Sequence, residues 1–100
     1  MIVRIFITAV DPDDVERGNA LFREQVKPVF EAFEGCTGIE WYIGVDEHSA
    51  DLVDVAALSR WESLEHIEPA VSSPEYEIAL SGLRELFRQT PIVHHYEAAE

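Results

Sequence analysis

The first ten residues alternate in the manner of a β-strand, and both faces of that strand are largely apolar. One face carries Val3, Ile5, Ile7 and Ala9, and the other carries Ile2, Arg4, Phe6, Thr8 and Val10. A strand with a single covered face would show polar side chains on the other face. The pattern therefore predicts helices on one side of the sheet and another layer or a second subunit on the other side.

A long amphipathic helix is predicted next, over about residues 12 to 34. The run Asp11–Asp14 is typical of a helix start, because an N-cap carboxylate is followed by a proline and by further acids. Pro28 lies inside the helix and removes one backbone hydrogen bond, so we expect a bend about one turn before it. Gly35 is the predicted C-terminal stop.

The rest of the chain predicts a hairpin, a broken second helix and a final strand. The predicted elements are strands at 39–45 and 52–61, a short helix at 63–71 with Leu64, Ile67 and Val71 inward, a longer helix that ends before Pro91, and a strand at 92–97. The order is βαββαβ in a single domain of residues 1–100. The predicted fold is α+β and ferredoxin-like, with an antiparallel sheet and helices on one face.

Charge and composition exclude several classes of partner. The 100 residues include 20 acidic and 7 basic side chains, for a formal net charge of −13. This charge repels phosphate backbones and anionic membranes, so we expect no nucleic acid and no membrane as partners. No apolar run approaches the ~20 residues needed to cross a bilayer, and Met1–Val10 lacks the parts of a signal peptide. The single cysteine, Cys36, cannot form an internal disulfide, which favours the cytoplasm.

Several short segments, taken together, resemble the antibiotic biosynthesis monooxygenase family over nearly the whole chain. They are Pro28-Val29-Phe30, Gly35-Cys36-Thr37-Gly38, Arg60-Trp61-Glu62-Ser63, Ser73-Pro74-Glu75-Tyr76 and a closing strand with Tyr96. The resemblance implies a homodimer in which the two sheets form an α+β barrel with the helices outside. The two apolar faces of the first strand agree with this arrangement and were identified independently of it.

The resemblance implies two chemistries, and the residues match neither in full. Cofactor-free members that oxidise anthrone-like aromatics use a Trp, an Asn and a Tyr, which correspond here to Trp61, Ala57 and Ile67. Only the tryptophan is present. Members that degrade haem use a Trp and a His where this chain has Ala70 and Leu80. We therefore expect no haem, and we predict no other cofactor and no metal.

Two residues are candidates for catalysis. His66 lies five positions after Trp61 and is the predicted general base, because an imidazole titrates near neutral pH. Trp61 is the predicted platform on which a flat substrate stacks. Each residue has a simpler alternative: His66 could pair with Glu62 on a solvated helix surface, and Trp61 could belong to the core.

Three further residues are predicted to bind a ligand: Arg4, Phe6 and Trp41. Arg4 is a cation in a strand covered on both faces, so it needs either an acidic partner such as Asp54 or an anionic ligand. Phe6 shares its face. Trp41 could stack on a planar molecule or pack in the core.

The other histidines and the cysteine are weaker candidates. His94 and His95 are neighbours in a strand and must point to opposite faces, which prevents them from binding one metal side by side. One of them could still face a pocket. His48 lies in the hairpin turn and is predicted to be exposed. Cys36 has no adjacent base and is interpreted as a small buried residue.

Two classes of function follow. The first is a cofactor-independent monooxygenase, or an isomerase, for a small aromatic or quinone-like metabolite, in which the substrate's own carbanion reacts with oxygen. The alternative is a non-catalytic dimer of the same fold that holds a small ligand or is purely structural. A closed cavity with two or more convergent polar side chains would favour the enzyme, and a well-filled interior would favour the alternative.

Overall fold

Four strands form one antiparallel sheet in the order β2-β3-β1-β4 in the computed structural model of the chain, which describes residues 1–99. The strands are β1 (Ile2–Val10), β2 (Cys36–Ile43), β3 (Val53–Trp61) and β4 (Ile92–Glu97). Strand β1 pairs with β3 and β4, and β2 pairs with β3. With the helices between β1 and β2 and between β3 and β4, this confirms the predicted βαββαβ order and the ferredoxin-like α+β fold.

The helical segment after β1 is continuous but irregular. It consists of a 3-10 turn (Pro12–Asp14), α1 (Val15–Leu21), a π-helical turn (Phe22–Val26) and α2 (Lys27–Ala32). Pro28 has no amide hydrogen and its ring excludes a carbonyl one turn earlier, so regular α-helical bonding is interrupted there. A bend was expected about one turn before Pro28, and the segment there forms this wider π-helical turn.

The start of this segment differs from the prediction in one contact. Asp11 precedes the first helical turn, but its side chain makes no capping hydrogen bond. Its carboxylate instead accepts a hydrogen bond from Nε of Arg88 at 2.9 Å. The backbone amide of Arg88 also donates to the carbonyl of Ala9 at 2.8 Å. Asp11 therefore ties the end of β1 to the chain that leaves the last helix.

The second helical region follows β3 in three pieces. They are a 3-10 turn (Leu64–His66), α3 (Ile67–Val71) and α4 (Pro74–Arg84). Ser73 is the N-cap of α4, and its hydroxyl accepts a hydrogen bond from the Tyr76 amide at 3.2 Å. Leu64 is 57% exposed, so the prediction that it faces inward was wrong, whereas Ile67 is buried as predicted. None of the helices within residues 1–99 is long and apolar enough to cross a membrane.

The core lies between these helices and one face of the sheet. Its largest fully buried side chain is Trp61, which lies opposite Ile2 in the β1–β3 register. The other buried members are Val10, Phe22, Val26, Phe30, Ile39, Val55, Ile67, Ala70, Tyr76, Leu80, Leu83 and Leu86. Because α2 and α4 both contribute aromatic or aliphatic side chains to this layer, the helices pack on the sheet through one continuous apolar cluster.

The opposite face of the sheet carries apolar side chains at its centre with the Glu40–Arg60 ion pair beside them, and no helix of residues 1–99 covers it. Ile7 is 40% exposed on this face, and Ile92 beside it on β4 is 57% exposed. Ile5 lies between Leu58 on β3 and His94 on β4. The second apolar face expected for β1 is therefore open to solvent in a single chain.

Gly35 supplies the turn that ends the first helical segment, and its backbone has a φ of +84°. A Cβ atom at this position would lie 2.2 Å from Cγ of His66. We expect Gly35→Ala to lower the free energy of unfolding by about 1–3 kcal/mol through backbone strain alone, with the clash adding to it. Urea denaturation measures the loss.

Gly38→Ala is the matched control for this substitution. A Cβ atom at Gly38 meets no other atom within 4 Å. The control should change stability by less than about 1 kcal/mol. Equal losses at Gly35 and Gly38 would contradict the prediction.

Candidate functional site

The five predicted site residues separate into three places. Arg4, Phe6 and Trp41 line one cavity between the sheet and the helices, which we call the inner cavity. His66 lines a groove on the surface. Trp61 is fully buried and lines neither.

The inner cavity is small and mostly apolar. Its volume is about 20 Å³. Ala57, which replaces the expected asparagine, lies in its wall, and Tyr76 and Phe87 reach it from the helical side. A bound water needs a space of about 10–15 Å³, so the cavity has room for about one water molecule. The interior is therefore well filled.

Arg4 is the charged group of this cavity, with 6% of its surface exposed. Its Nη2 donates a hydrogen bond to the hydroxyl of Tyr76 at 3.1 Å. The guanidinium carbon lies 5.7 Å from the ring centre of Phe6 and 5.6 Å from that of Tyr76, within the range of cation–π attraction. Two convergent polar side chains, Arg4 and Tyr76, thus meet in an apolar space.

The acidic partner expected for Arg4 does not lie next to it. Asp54 is opposite Ala9 in the β1–β3 register, on the other face of the sheet from Arg4. Its carboxylate lies 3.5 Å from Nε2 of His48. The predicted Arg4–Asp54 pair was therefore wrong, because the two residues alternate onto opposite faces.

Trp41 already has partners on the helical side of the cavity. Its Nε1 donates to the side-chain oxygen of Asn19 at 2.9 Å. Its ring stacks on Phe22 with 5.2 Å between centroids and 17° between planes. The half-buried indole is therefore held in one orientation at the wall of the inner cavity.

Trp61 has the surroundings of a core residue. Its exposed fraction is 0%, and its Nε1 donates to the hydroxyl of Ser59 at 2.8 Å. Its ring centre lies 6.2 Å from that of Phe30 and 6.3 Å from that of Phe33. Of the two alternatives for Trp61, a core position is the one that this burial favours.

His66 belongs to a surface groove between α2 and the region of α3, with a volume of about 630 Å³. Val29, Phe33 and Pro69 form apolar walls there, and Glu75 lies at the side. Nδ1 of His66 is hydrogen-bonded to the hydroxyl of Ser63 at 2.8 Å, whereas a pair with Glu62 was the expectation. Since Nδ1 is occupied, Nε2 is the nitrogen left for a ligand in the groove.

The remaining candidates do not join either place. His48 is half-buried rather than exposed, and its Nδ1 accepts a hydrogen bond from the amide of Ala50 at 3.0 Å. His94 and His95 lie on opposite faces of β4, as predicted. Burial raises the pKa of the Cys36 thiol, which keeps it protonated and inert near neutral pH. Within residues 1–99 no group of three or more His, Cys, Asp or Glu side chains could hold a metal ion.

Two partners in these sites were missed by reasoning from the sequence. Tyr76 is 72 positions from Arg4, and no local pattern connects them. Ser63, in contrast, precedes His66 by three residues at the start of a helical turn. That spacing is typical of side chains that meet at a helix N-terminus, so it could have indicated the contact.

The sheet order β2-β3-β1-β4, with the helical regions after β1 and β3, defines an α+β ferredoxin-like domain. The family model of the antibiotic biosynthesis monooxygenases matches residues 1–80. The chain therefore belongs to the antibiotic biosynthesis monooxygenase family, as its sequence segments predicted. No curated protein sequence shows significant similarity to it.

Solved structures share the fold across the whole domain. A Bordetella bronchiseptica protein named as an antibiotic biosynthesis monooxygenase has a TM-score of 0.81 at 20% identity, over 99% of this chain and 97% of that one. A Mycobacterium tuberculosis protein has a TM-score of 0.72 at 19% identity, with coverage of 99% and 95%. A Deinococcus radiodurans protein, also named as an antibiotic biosynthesis monooxygenase, has a TM-score of 0.74 at 15% identity, over 100% of this chain and 94% of that one. At these identities the likeness establishes the fold alone.

The burial of Trp61 leads to a stability prediction. Trp61→Ala should lower the free energy of unfolding by about 3–5 kcal/mol, because a fully buried indole leaves a cavity that the core cannot close. Trp61→Phe should lower the free energy of unfolding by less, because it keeps an aromatic ring beside Phe33. It still loses the hydrogen bond to Ser59, so some loss of stability remains. Urea denaturation of the two variants measures this order. Near-wild-type stability of Trp61→Ala would show that the ring is not part of the core.

Proposed function

We propose that the chain is a cofactor-independent monooxygenase that oxidises a small aromatic or quinone-like metabolite in the inner cavity. The observation that carries the proposal is the meeting of the Arg4 guanidinium and the Tyr76 hydroxyl in an apolar space under the helices. Membership of the antibiotic biosynthesis monooxygenase family supports the reaction class.

The reaction needs little from the protein. A substrate of this class loses a proton from a carbon beside an aromatic ring, to His66 in the groove or to solvent before it enters the inner cavity, and the resulting carbanion reduces dioxygen. A carbon–oxygen bond forms, and the peroxide then loses water to leave a ketone or quinone. The protein orients the ring, excludes bulk water and stabilises the charge that develops on the substrate oxygen. Arg4 and Tyr76 are hydrogen-bond donors of the kind that stabilises a negative charge on the substrate oxygen.

His66 could act as the base only for a substrate bound in the groove, because it lines the groove and not the inner cavity. The groove has room for a flat molecule against Phe33, and Nε2 of His66 is the nitrogen left to take a proton there. The inner cavity and the groove are thus two places for the same chemistry. Substitution of Arg4 tests the inner cavity, and substitution of His66 tests the groove.

A second function is favoured by the filled interior. A cavity of about 20 Å³ is much smaller than an aromatic ring, and the apolar side chains of Ala57 and Ile67 give no hydrogen bonds to a substrate oxygen. A dimer that holds a small ligand or serves a structural role, without catalysis, fits this interior. The experiment below separates the two functions.

An anthrone is the test substrate for oxygenase activity, with dioxygen uptake as the readout. Wild-type protein should consume oxygen faster than the uncatalysed reaction. Arg4→Met should lower the rate by about 10²–10³-fold if its guanidinium stabilises the developing oxyanion. His66→Gln should lower it by about 10²–10⁴-fold if the imidazole is the general base.

The pattern of losses assigns the site. A loss with Arg4→Met alone places the chemistry in the inner cavity, and a loss with His66→Gln alone places it in the groove. The absence of catalysed oxygen uptake for anthrones and related hydroquinones would favour the non-catalytic function.

The open face of the sheet supports a homodimer in either function. Ile5, Ile7 and Leu58 form a connected apolar strip on this face, and Ile92 extends it onto β4. A second copy packed on this strip would bury it, as the apolar faces of packed sheets are buried in sandwiches and barrels. We propose that the sheets of two chains face each other in this way, with the helices outside.

Sedimentation velocity at micromolar concentration tests the dimer. The protein should sediment at about twice its chain mass of 11.3 kDa. Ile5→Glu puts an unpaired charge in the centre of the strip and should shift the protein to monomer. Ile78→Glu, at a 69% exposed position on α4, is the matched control and should stay dimeric. A monomeric wild-type protein would contradict the face-to-face arrangement.

A further inference from the structure

Arg4 is a buried cation without an anionic partner among residues 1–99. Only 6% of its surface is exposed. Among residues 1–99, no carboxylate oxygen lies within 4.0 Å of its guanidinium nitrogens. Its hydrogen bond goes to the neutral hydroxyl of Tyr76, and its remaining close partners are aromatic rings.

This arrangement opposes the stability of the fold. A charge removed from water loses its hydration, and a pair of ring faces and one hydroxyl restore only part of it. An acid nearby would restore more, and the chain carries 20 acids. The residues directly opposite Arg4 in the sheet are nevertheless Ser59 on β3 and His95 on β4.

The other arginines of the chain show the contrast. Arg60, Arg84 and Arg88 are each paired with a carboxylate, from Glu40, Glu77 and Asp11 respectively, and all three are more exposed than Arg4. Arg84 even lies over the Tyr76 ring, at 6.0 Å from its centre, as Arg4 does at 5.6 Å. The two further arginines, Arg17 and Arg23, are exposed to water. Among residues 1–99, Arg4 is therefore the arginine that is both buried and without a carboxylate within 4.0 Å.

We infer that the anion missing at Arg4 is brought by the ligand, so the substrate class is an aromatic molecule with a negatively charged oxygen group. A guanidinium presents planar, forked donors that match a carboxylate or an ionised phenol. Phe6, Trp41 and Ala57 offer apolar walls for a flat body attached to that group. The inference deepens the proposed function, on whose inner cavity it rests.

The cavity must widen to admit more than the charged group, since its volume is about 20 Å³. Phe87 is the lining side chain that lies outside all helices and strands, in the segment between α4 and β4. It packs on Phe6 with 5.7 Å between ring centres and is half-buried. A shift of Phe87 would open the cavity next to Arg4 without a change in the sheet.

Binding of a charged and a neutral probe of equal shape tests the inference. Calorimetry measures the dissociation constants of 2-naphthoate and 2-naphthamide with the purified full chain. Wild type should bind the acid at least about tenfold more tightly, which corresponds to about 1.4 kcal/mol. 4-Nitrophenol, measured above and below its own pKa, tests an ionised phenol in place of the carboxylate. Preference for naphthoate assigns a carboxylate, and binding of the ionised phenol alone assigns a phenolate.

Four variants locate the effect. Arg4→Met should abolish the preference for the charged probe, and Arg4→Lys should weaken it while keeping its direction. Arg84→Met removes the other guanidinium over Tyr76 and should leave the preference unchanged. Phe87→Ala should tighten the binding of naphthoate by enlarging the cavity beside Arg4.

Several outcomes would overturn the inference: equal affinity of wild type for acid and amide, no binding of either charged probe, or a preference that survives in Arg4→Met. If Arg4→Met does not fold, the Arg4→Lys and Phe87→Ala results decide in the same way. Failure of the anionic-substrate inference can be told apart from failure of the proposed oxygenase function. Anthrone oxidation without a charge preference rejects only the anionic substrate, and a charge preference without oxygen uptake rejects only the oxygenase.

Discussion

The antiparallel pairing of β1 with β3 is the constraint on which the rest of the molecule depends. It runs over nine residues, from Ile2 opposite Trp61 to Val10 opposite Val53. Because side chains alternate along a strand, this register decides at once which side chains meet the helices and which form the open face. A slip of one residue would expose Trp61 and bury Asp54. The core, the inner cavity and the apolar outer strip are three consequences of the same pairing.

Packing and function oppose each other inside this fold. The interior is filled by aromatic and aliphatic side chains, as stability requires, but one buried position holds a guanidinium with no carboxylate from residues 1–99 beside it. Polar groups that lower stability and persist in an otherwise well-packed core are typical of binding and catalytic sites. Arg4 and Tyr76 are the polar side chains that meet in the inner cavity, whose wall includes the apolar Ala57.

His66 belongs to a different part of the molecule, and its position depends on a backbone detail. Its ring lies directly against Gly35, where a Cβ atom would stand 2.2 Å from the imidazole Cγ. The positive φ of Gly35 and the missing side chain thus allow the histidine to lie at the groove with Nδ1 held by Ser63. The same glycine that ends the first helical segment also makes room for the candidate base.

Local patterns in the sequence determined the elements of this protein, because hydrophobic alternation, helix caps and the punctuation by Pro28 and Gly35 act over a few residues. They also predicted two apolar faces for β1, and for Arg4 either an acidic partner or an anionic ligand. Only the tertiary structure decided which groups meet across the chain: Tyr76 with Arg4, Asp54 with His48, and Arg88 with Asp11. It also separated His66 from Arg4, although both were predicted for one site. Such contacts join residues that are far apart in sequence, and they depend on strand register and helix packing, which no local pattern contains.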